Sequence, residues 1–298
     1  MIAVGQRSRL LTVVGGVCLA LIACSDPQPD VDSTRLDSST KPKIAEQRVV
    51  LRGRVTWEGP LPDIAVLDIR ATPLAPAPLR VRLQVPNPNA PAIDPKSRGI
   101  QNAVVFLRHV DPDRCRPWHH PPVRIEQVDY RIRILQGDVP APVGFVRRGD
   151  EVLMVSRQNV PHNLRATGAA FFTLAFPDPH QPLMRRFHRS GLVELSSGTG
   201  FYWMRGYLFV SDHPYYTRTD ASGSFRLEDV PPGDYEIVCW LPNWHITRRA
   251  RSPESGQIIR TTFAPPVEKV QTRSLVSRDE YVVGFQFRSA DFAPGKSR

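Results

Sequence analysis

Proline sets the first limit on this chain. Thirty prolines and 19 glycines are spread along its 298 residues. Proline fixes φ and removes a backbone donor, so it is kept out of helix interiors and central strands. Between the prolines lie short segments rich in β-branched and aromatic residues: 48–57, 103–107, 130–135, 144–146, 151–156, 192–195, 207–210, 224–227, 235–241 and 281–287. Turn residues such as Glu58-Gly59-Pro60 separate them. Residues 60–96 are so proline-laden that only short edge strands are expected there, over 64–69 and 81–83. No amphipathic helix of ordinary length is evident, so the expected class is all-β, built from sandwiches.

The first 23 residues stand apart. Arg7 and Arg9 precede an apolar run, 10–21, that is too short to span a bilayer and is broken by Gly15-Gly16. It ends in Leu21-Ile22-Ala23-Cys24, followed by Ser25 and Asp26. This boundary resembles the lipobox of bacterial lipoproteins. The resemblance implies cleavage before Cys24 and a diacylglyceryl group on its sulfur; the alternative is an ordinary signal peptide with Cys24 incidental. Residues 24–46 are polar, rich in Pro, Ser and Asp, and without periodicity, as expected of a flexible tether. No later stretch is apolar for long enough to cross a membrane, so the expected membrane contact is the lipid alone. Ser25 does not resemble the retention signal of inner-membrane lipoproteins, which places the protein in the cell envelope, on the outer membrane facing the periplasm.

Export also bears on the cysteines. Cys18 leaves with the signal and Cys24 is lipidated, leaving Cys115 and Cys239 in a compartment that permits pairing. Two cysteines are no disulfide framework, and Cys239, inside the apolar run 235–241, reads equally as a buried core thiol. The formal net charge of +10 is carried mostly by arginine, 34 of 39 basic residues. The arginines are scattered, and the densest group is Arg248-Arg249-Ala250-Arg251. An exported chain without a nucleic-acid motif is not read as nucleic-acid binding. Acidic polysaccharide or lipid headgroups are the anionic partners open to it.

Two motifs carry more specific information. In Thr219-Asp220-Ala221-Ser222-Gly223-Ser224-Phe225-Arg226-Leu227, residues 220–223 form a turn signal and Phe225 and Leu227 alternate onto one face. Val230-Pro231-Pro232-Gly233-Asp234-Tyr235-Glu236-Ile237 makes a second turn and restarts the inward alternation. These stretches resemble the carboxypeptidase regulatory-like (transthyretin-like, or prealbumin-like) β-sandwich. Gly53-Arg54-Val55 with Gly59, and 102–107, resemble the opening strands of the same family. More than a hundred residues separate the halves, so a split sandwich is expected, 47–110 with 214–290, carrying an inserted domain over 111–213; 291–298 is read as a C-terminal tail.

The insert resembles the cupredoxins, a Greek-key copper fold. Val146–Ser156, with Gly149 at its turn, matches the strand before the first copper ligand, and Asn159-Val160-Pro161-His162-Asn163 places His162 at that ligand. Residues 191–195 and 202–207 match the ligand loop and its exit strand. A blue-copper centre needs a second set spaced as Cys-x-x-His-x-x-Met. Counting back from Met204, the two positions hold Phe201 and Gly198, and no Cys or His lies between Arg189 and Met204. A neutral hydroxyl from Ser196 or Ser197 cannot replace a thiolate. His162, Gly198, Phe201 and Met204 are therefore read as degenerate copper-site positions, with no cofactor expected.

Nothing else in the sequence assembles a reaction centre. His119-His120 is a pair, but adjacent strand residues point to opposite faces. No Cys-x-x-Cys or His-x-x-x-His spacing occurs, and neither does a Gly-x-Ser-x-Gly elbow. Trp203, Tyr215, Tyr216, Trp240 and Trp244 are candidates for an exposed platform that stacks on sugar rings; core packing is the plainer alternative. The expected function is a non-catalytic, lipid-anchored envelope module that binds a protein or polysaccharide, not an enzyme. The alternative is a copper-binding electron-transfer or copper-handling protein.

Overall fold

The computed structural model describes residues 48–69, 83–254, 256–276 and 280–292. The lipobox with Cys24, the tether and residues 293–298 lie outside the described residues. Described structure is all-β apart from two short 3-10 turns, Pro112–Arg114 and Ser289–Phe292.

Strands on both sides of residues 111–213 pair with one another. Val49–Trp57 runs antiparallel to Ser224–Val230 and parallel to Glu280–Phe287 in a three-stranded sheet. Facing it is a four-stranded antiparallel sheet ordered Tyr216–Arg218, Val104–Arg108, Gly233–Leu241, Val267–Leu275. Leu51, Val55, Phe225, Leu227, Phe285 and Phe287 from the first sheet meet Val105, Leu107, Ile237, Cys239 and Leu241 from the second in one buried core. Gly53 sits where the three-stranded sheet is tightest. A Cβ there would lie 1.7 Å from the Val283 carbonyl oxygen and 2.6 Å from the Phe225 ring, so no larger residue fits.

The strands of the intervening segment form a second pair of sheets. One is ordered Val143–Arg147, Arg205–Ser211, Gly191–Ser197, His162–Gly168, Phe172–Phe176; the other Leu183–Arg186, Glu151–Ser156, Val123–Val128, Arg131–Gln136, Val139–Ala141. Each contains one parallel pair, Val143–Arg147 with Arg205–Ser211 and Glu151–Ser156 with Val123–Val128, so the chain crosses between the sheets. Val123, Ile125, Ile134, Met154, Leu164, Val193, Leu195 and Leu208 fill the space between them.

The sandwiches touch through a third cluster. Val104, Phe106, Tyr216, Val238 and Trp240 project from the outer side of the four-stranded sheet onto Val143, Phe145, Tyr207 and Phe209. The two central strands of that sheet are thus buried on both faces, which explains why Val104–Arg108 and the second half of Gly233–Leu241 read as unbroken apolar runs. The three-stranded sheet keeps one solvated face, where Arg52 pairs with Glu280 at 3.0 Å, and its strands alternate.

Two features differ from expectation. Order continues past residue 290: Phe292 is fully buried and stacks on Trp244 at 4.2 Å and on Trp57 at 5.9 Å. A hairpin of Ile246–Arg251 with Ile258–Phe263 replaces what the sequence shows only as a basic group. Four arginines in these two strands and the absence of apolar alternation hide its β character.

Candidate functional site

The loop between Gly191–Ser197 and Arg205–Ser211 closes one end of the second sandwich. Gly200 takes φ of 89°, and two tight turns follow, with the Tyr202 amide donating to the Gly200 carbonyl and the Met204 amide to that of Phe201, both at 2.9 Å. These turns send the four residues 201–204 inward together. Each is at most 7% exposed.

His162 begins the neighbouring strand, paired opposite Phe176, and is 2% exposed. The Phe201 ring lies 5.2 Å from its imidazole and the Tyr130 ring 6.1 Å. Neither His162 ring nitrogen has a hydrogen-bond partner, and burial lowers its pKa, so the ring is neutral. Gly198 donates its amide to the Asn163 carbonyl at 3.3 Å, and a Cβ at Gly198 would lie 3.2 Å from Asn163 Oδ1, itself unpartnered. The fold therefore brings Phe201 against His162 and exposed Gly198 against Asn163, with Met204 buried in the same cluster as Phe201.

This loop is sealed by segments from elsewhere in the chain. Leu67 and Ile69 pack on Phe201–Met204, with Ile246 and Ile258 of the hairpin beside them. The Tyr202 hydroxyl donates to the Asp68 carbonyl at 3.1 Å, Thr261 Oγ1 to the Tyr202 carbonyl at 2.9 Å, and the Trp203 indole to the Tyr130 carbonyl at 3.0 Å. Arg205, below the loop, bonds the Thr261 carbonyl and Glu194, its guanidinium lying 5.1 Å from the Phe263 ring.

The expected aromatic platform does not form. Trp203, Tyr215, Tyr216, Trp240 and Trp244 are 6%, 0%, 9%, 1% and 7% exposed, so none offers a ring face to a sugar. The packing partners supply the reason. Tyr216 stacks on Phe106 at 4.9 Å and Trp240 meets Tyr207 edge-on in the seam between sandwiches. Tyr215 donates its hydroxyl to the Asp229 carbonyl at 2.8 Å, Trp244 lies against Phe292, and Trp203 belongs to the sealed loop.

Cys115 and Cys239 are both free thiols packed at the core of the first sandwich, and burial pushes Cys115 up to about 11. His119 and His120 lie with rings 4.2 Å apart but face different partners, the Arg116 guanidinium and the Pro214 carbonyl. Burial brings His120 down to about 4, and likewise His213, which stacks on Tyr216. Among the described residues, no three or more His, Cys, Asp or Glu side chains are grouped so as to hold a metal ion.

One concavity escaped the sequence reading. A cleft of about 630 Å³ opens beside the sealed loop, between the strand Leu67–Ile69 and the hairpin, lined by Asp68, Tyr202, Arg249, Arg251 and Ile258 among others. The only sequence signal for it was the basic group at 248–251.

No known protein family and no curated protein sequence matches the chain. Among solved structures, an oxidized point mutant of amicyanin is 19% identical, covering 30% of this chain and 82% of its own, with a TM-score of 0.24. A copper(I) form of another amicyanin mutant is 16% identical over 36% of this chain and 98% of its own, at 0.25. A purple cupredoxin from Nitrosopumilus maritimus is 17% identical over 30% and 99%, at 0.23. Scores this low support no functional argument; the all-β sandwich fold rests on the sheet order itself.

Proposed function

We propose that this protein is a non-catalytic, lipid-anchored module of the bacterial cell envelope, held on the outer membrane facing the periplasm, where it binds a protein or polysaccharide. The Leu21–Cys24 boundary supports the anchor. The observation that carries the rest is the closure of residues 201–204, whose side chains are packed under a second part of the chain.

A second reading, copper-binding electron transfer or copper handling, draws on the unpartnered His162 imidazole. The donor set does not fit it. A blue-copper centre needs a thiolate beside two imidazoles, whereas Phe201 packs on His162 and both free thiols sit in the other sandwich.

Two measurements test the proposal. Cys24→Ala should abolish incorporation of a palmitate analogue and leave unprocessed precursor; continued labelling of the mutant defeats the lipid anchor. A glycan array and an envelope pull-down with the full chain should each report saturable binding of at least one component. Absence of any such ligand in both defeats the binding-module reading.

A further inference from the structure

We infer that the cleft between the strand Leu67–Ile69 and the 246–263 hairpin is an anion site, taking a carboxylate or phosphate group on a ligand whose apolar side rests on Leu67 and Ile258. The inference rests on the binding-module reading and names the chemistry of what is bound.

Arg249 and Arg251 both line the cleft, from a strand whose register shifts between Ala250 and Arg251. Arg251 donates to the Gly256 carbonyl at 2.8 Å, which fixes its guanidinium against the wall with other donors left over. The Arg249 side chain makes no ion pair and no hydrogen bond with any described residue, its backbone pairing with Thr261 across the hairpin. Both charges act on the Tyr202 hydroxyl: burial raises its pKa, and the two guanidinium groups oppose that rise. They therefore converge on one wall of the cleft, not on separate stretches of surface. Among the described lining residues Asp68 is the only acid, against the two arginines.

Two guanidinium forks in one concavity match an oxyanion, because each can donate two parallel hydrogen bonds to carboxylate or phosphate oxygens. The location reinforces the point. The walls come from Leu67–Ile69, the hairpin and Tyr202, three segments far apart in sequence that meet where the sandwiches join, and such junctions are common ligand sites. The Thr261–Tyr202 and Tyr202–Asp68 hydrogen bonds tie the three segments together, which reduces the ordering a ligand has to supply.

Calorimetric titration of the full-length protein with inorganic phosphate, galacturonate and, as a neutral control, galactose tests the assignment. One of the two anions should bind saturably at one site, weakening as salt rises, and galactose should not bind. Phosphate binding without galacturonate binding identifies a phosphate ligand; the reverse identifies a carboxylate. Arg249→Gln and Arg251→Gln should each weaken the anion about tenfold. Arg248→Gln, on the same strand but outside the cleft lining, should leave it unchanged. All three side chains are exposed, so unaltered melting temperatures are expected and serve as the folding control. No saturable binding of either anion, or an equal loss in Arg248→Gln, overturns the cleft. If wild type then still binds a component in the array or pull-down, the module stands and only the cleft assignment fails.

Discussion

The turn at 220–223 and the loop at 198–204 are held by opposite means. In the turn, Asp220 Oδ1 accepts from the amides of Ser222 and Ser224 at 2.8 and 2.9 Å and from the Ser222 hydroxyl at 2.7 Å, while the Gly223 amide donates to the Asp220 carbonyl. Gly223 at φ of 82° completes it. The Asp220 carboxylate is matched within five residues, and the carbonyls of Ser222 and Gly223 accept from the Arg54 side chain and the Val55 amide of the adjoining strand. The loop is held by side-chain burial against distant segments, and it leaves His162 with two unmatched nitrogens and Asn163 with an unmatched oxygen. Shape written into a few adjacent residues can be read from sequence. Shape imposed by segments fifty or more residues away cannot.

The largest expected effect follows from that difference. Phe201→Ala removes a buried ring that packs on His162, Tyr130 and Trp203, and should cost about 3–5 kcal/mol in chemical denaturation. Asp220→Ala removes bonds at an exposed turn and should cost about 1 kcal/mol. Equal losses in the two variants would show that the loop is no more dependent on packing than the turn.

Acid separates the same two regions. The hydrogen bonds from Ser222 and Ser224 hold Asp220 below its ordinary value of 3.8, so its contribution is complete above that value and is lost as pH falls through the lower folded value. His162 behaves differently: burial lowers its pKa below 6.5, so the unfolded chain takes up the proton first and stability falls as pH drops below about 6.5. His120 and His213, both brought to about 4, share that window. His162→Leu should therefore flatten part of the stability loss between pH 6.5 and 4. At neutral pH it should leave stability unchanged or raise it by about 1 kcal/mol, since no hydrogen bond is lost and two orphaned nitrogens are removed. A loss of 2 kcal/mol or more at pH 7.5 would mean the imidazole has a partner after all.

The contrast between local and distant causes also explains what the sequence could show. Alternation in Val49–Trp57 and Ser224–Val230 and the glycine at 53 are consequences of a sheet with one solvated face, and they were readable directly. The fates of Tyr216 and Trp240 were not, because periodicity tells that a residue is apolar but not which second surface lies against it. The hairpin strand Ile246–Arg251 has no buried residue, so no apolar pattern marks it; its role came into view only when the structure set Arg249 and Arg251 beside Tyr202. The positions 162, 198, 201 and 204 were readable as a spacing, while the covering of residues 201–204 by Leu67, Ile69 and Thr261 was not.

The smallest expected effect is the response of the unmodified protein to copper. Added Cu(II) should give no intense visible thiolate-to-copper band and no appreciable rise in melting temperature, since a ligand that binds the folded state weakly shifts the melt weakly. The double variant Gly198→Cys with Phe201→His turns that silence into a positive test. The nearest neighbour of a Cβ at position 198 is the Asn163 side chain, at 3.2 Å, and an imidazole at 201 is smaller than the ring it replaces. The variant would set a thiolate and a second imidazole in the loop between His162 and Met204. If the loop has the cupredoxin register, copper should raise its melting temperature and colour it, while either single variant should do neither. A blue, tightly bound copper in the wild type would instead require Cys115 or Cys239 to leave the first core and reach His162. That outcome would overturn both the sealed loop and the contrast built on it.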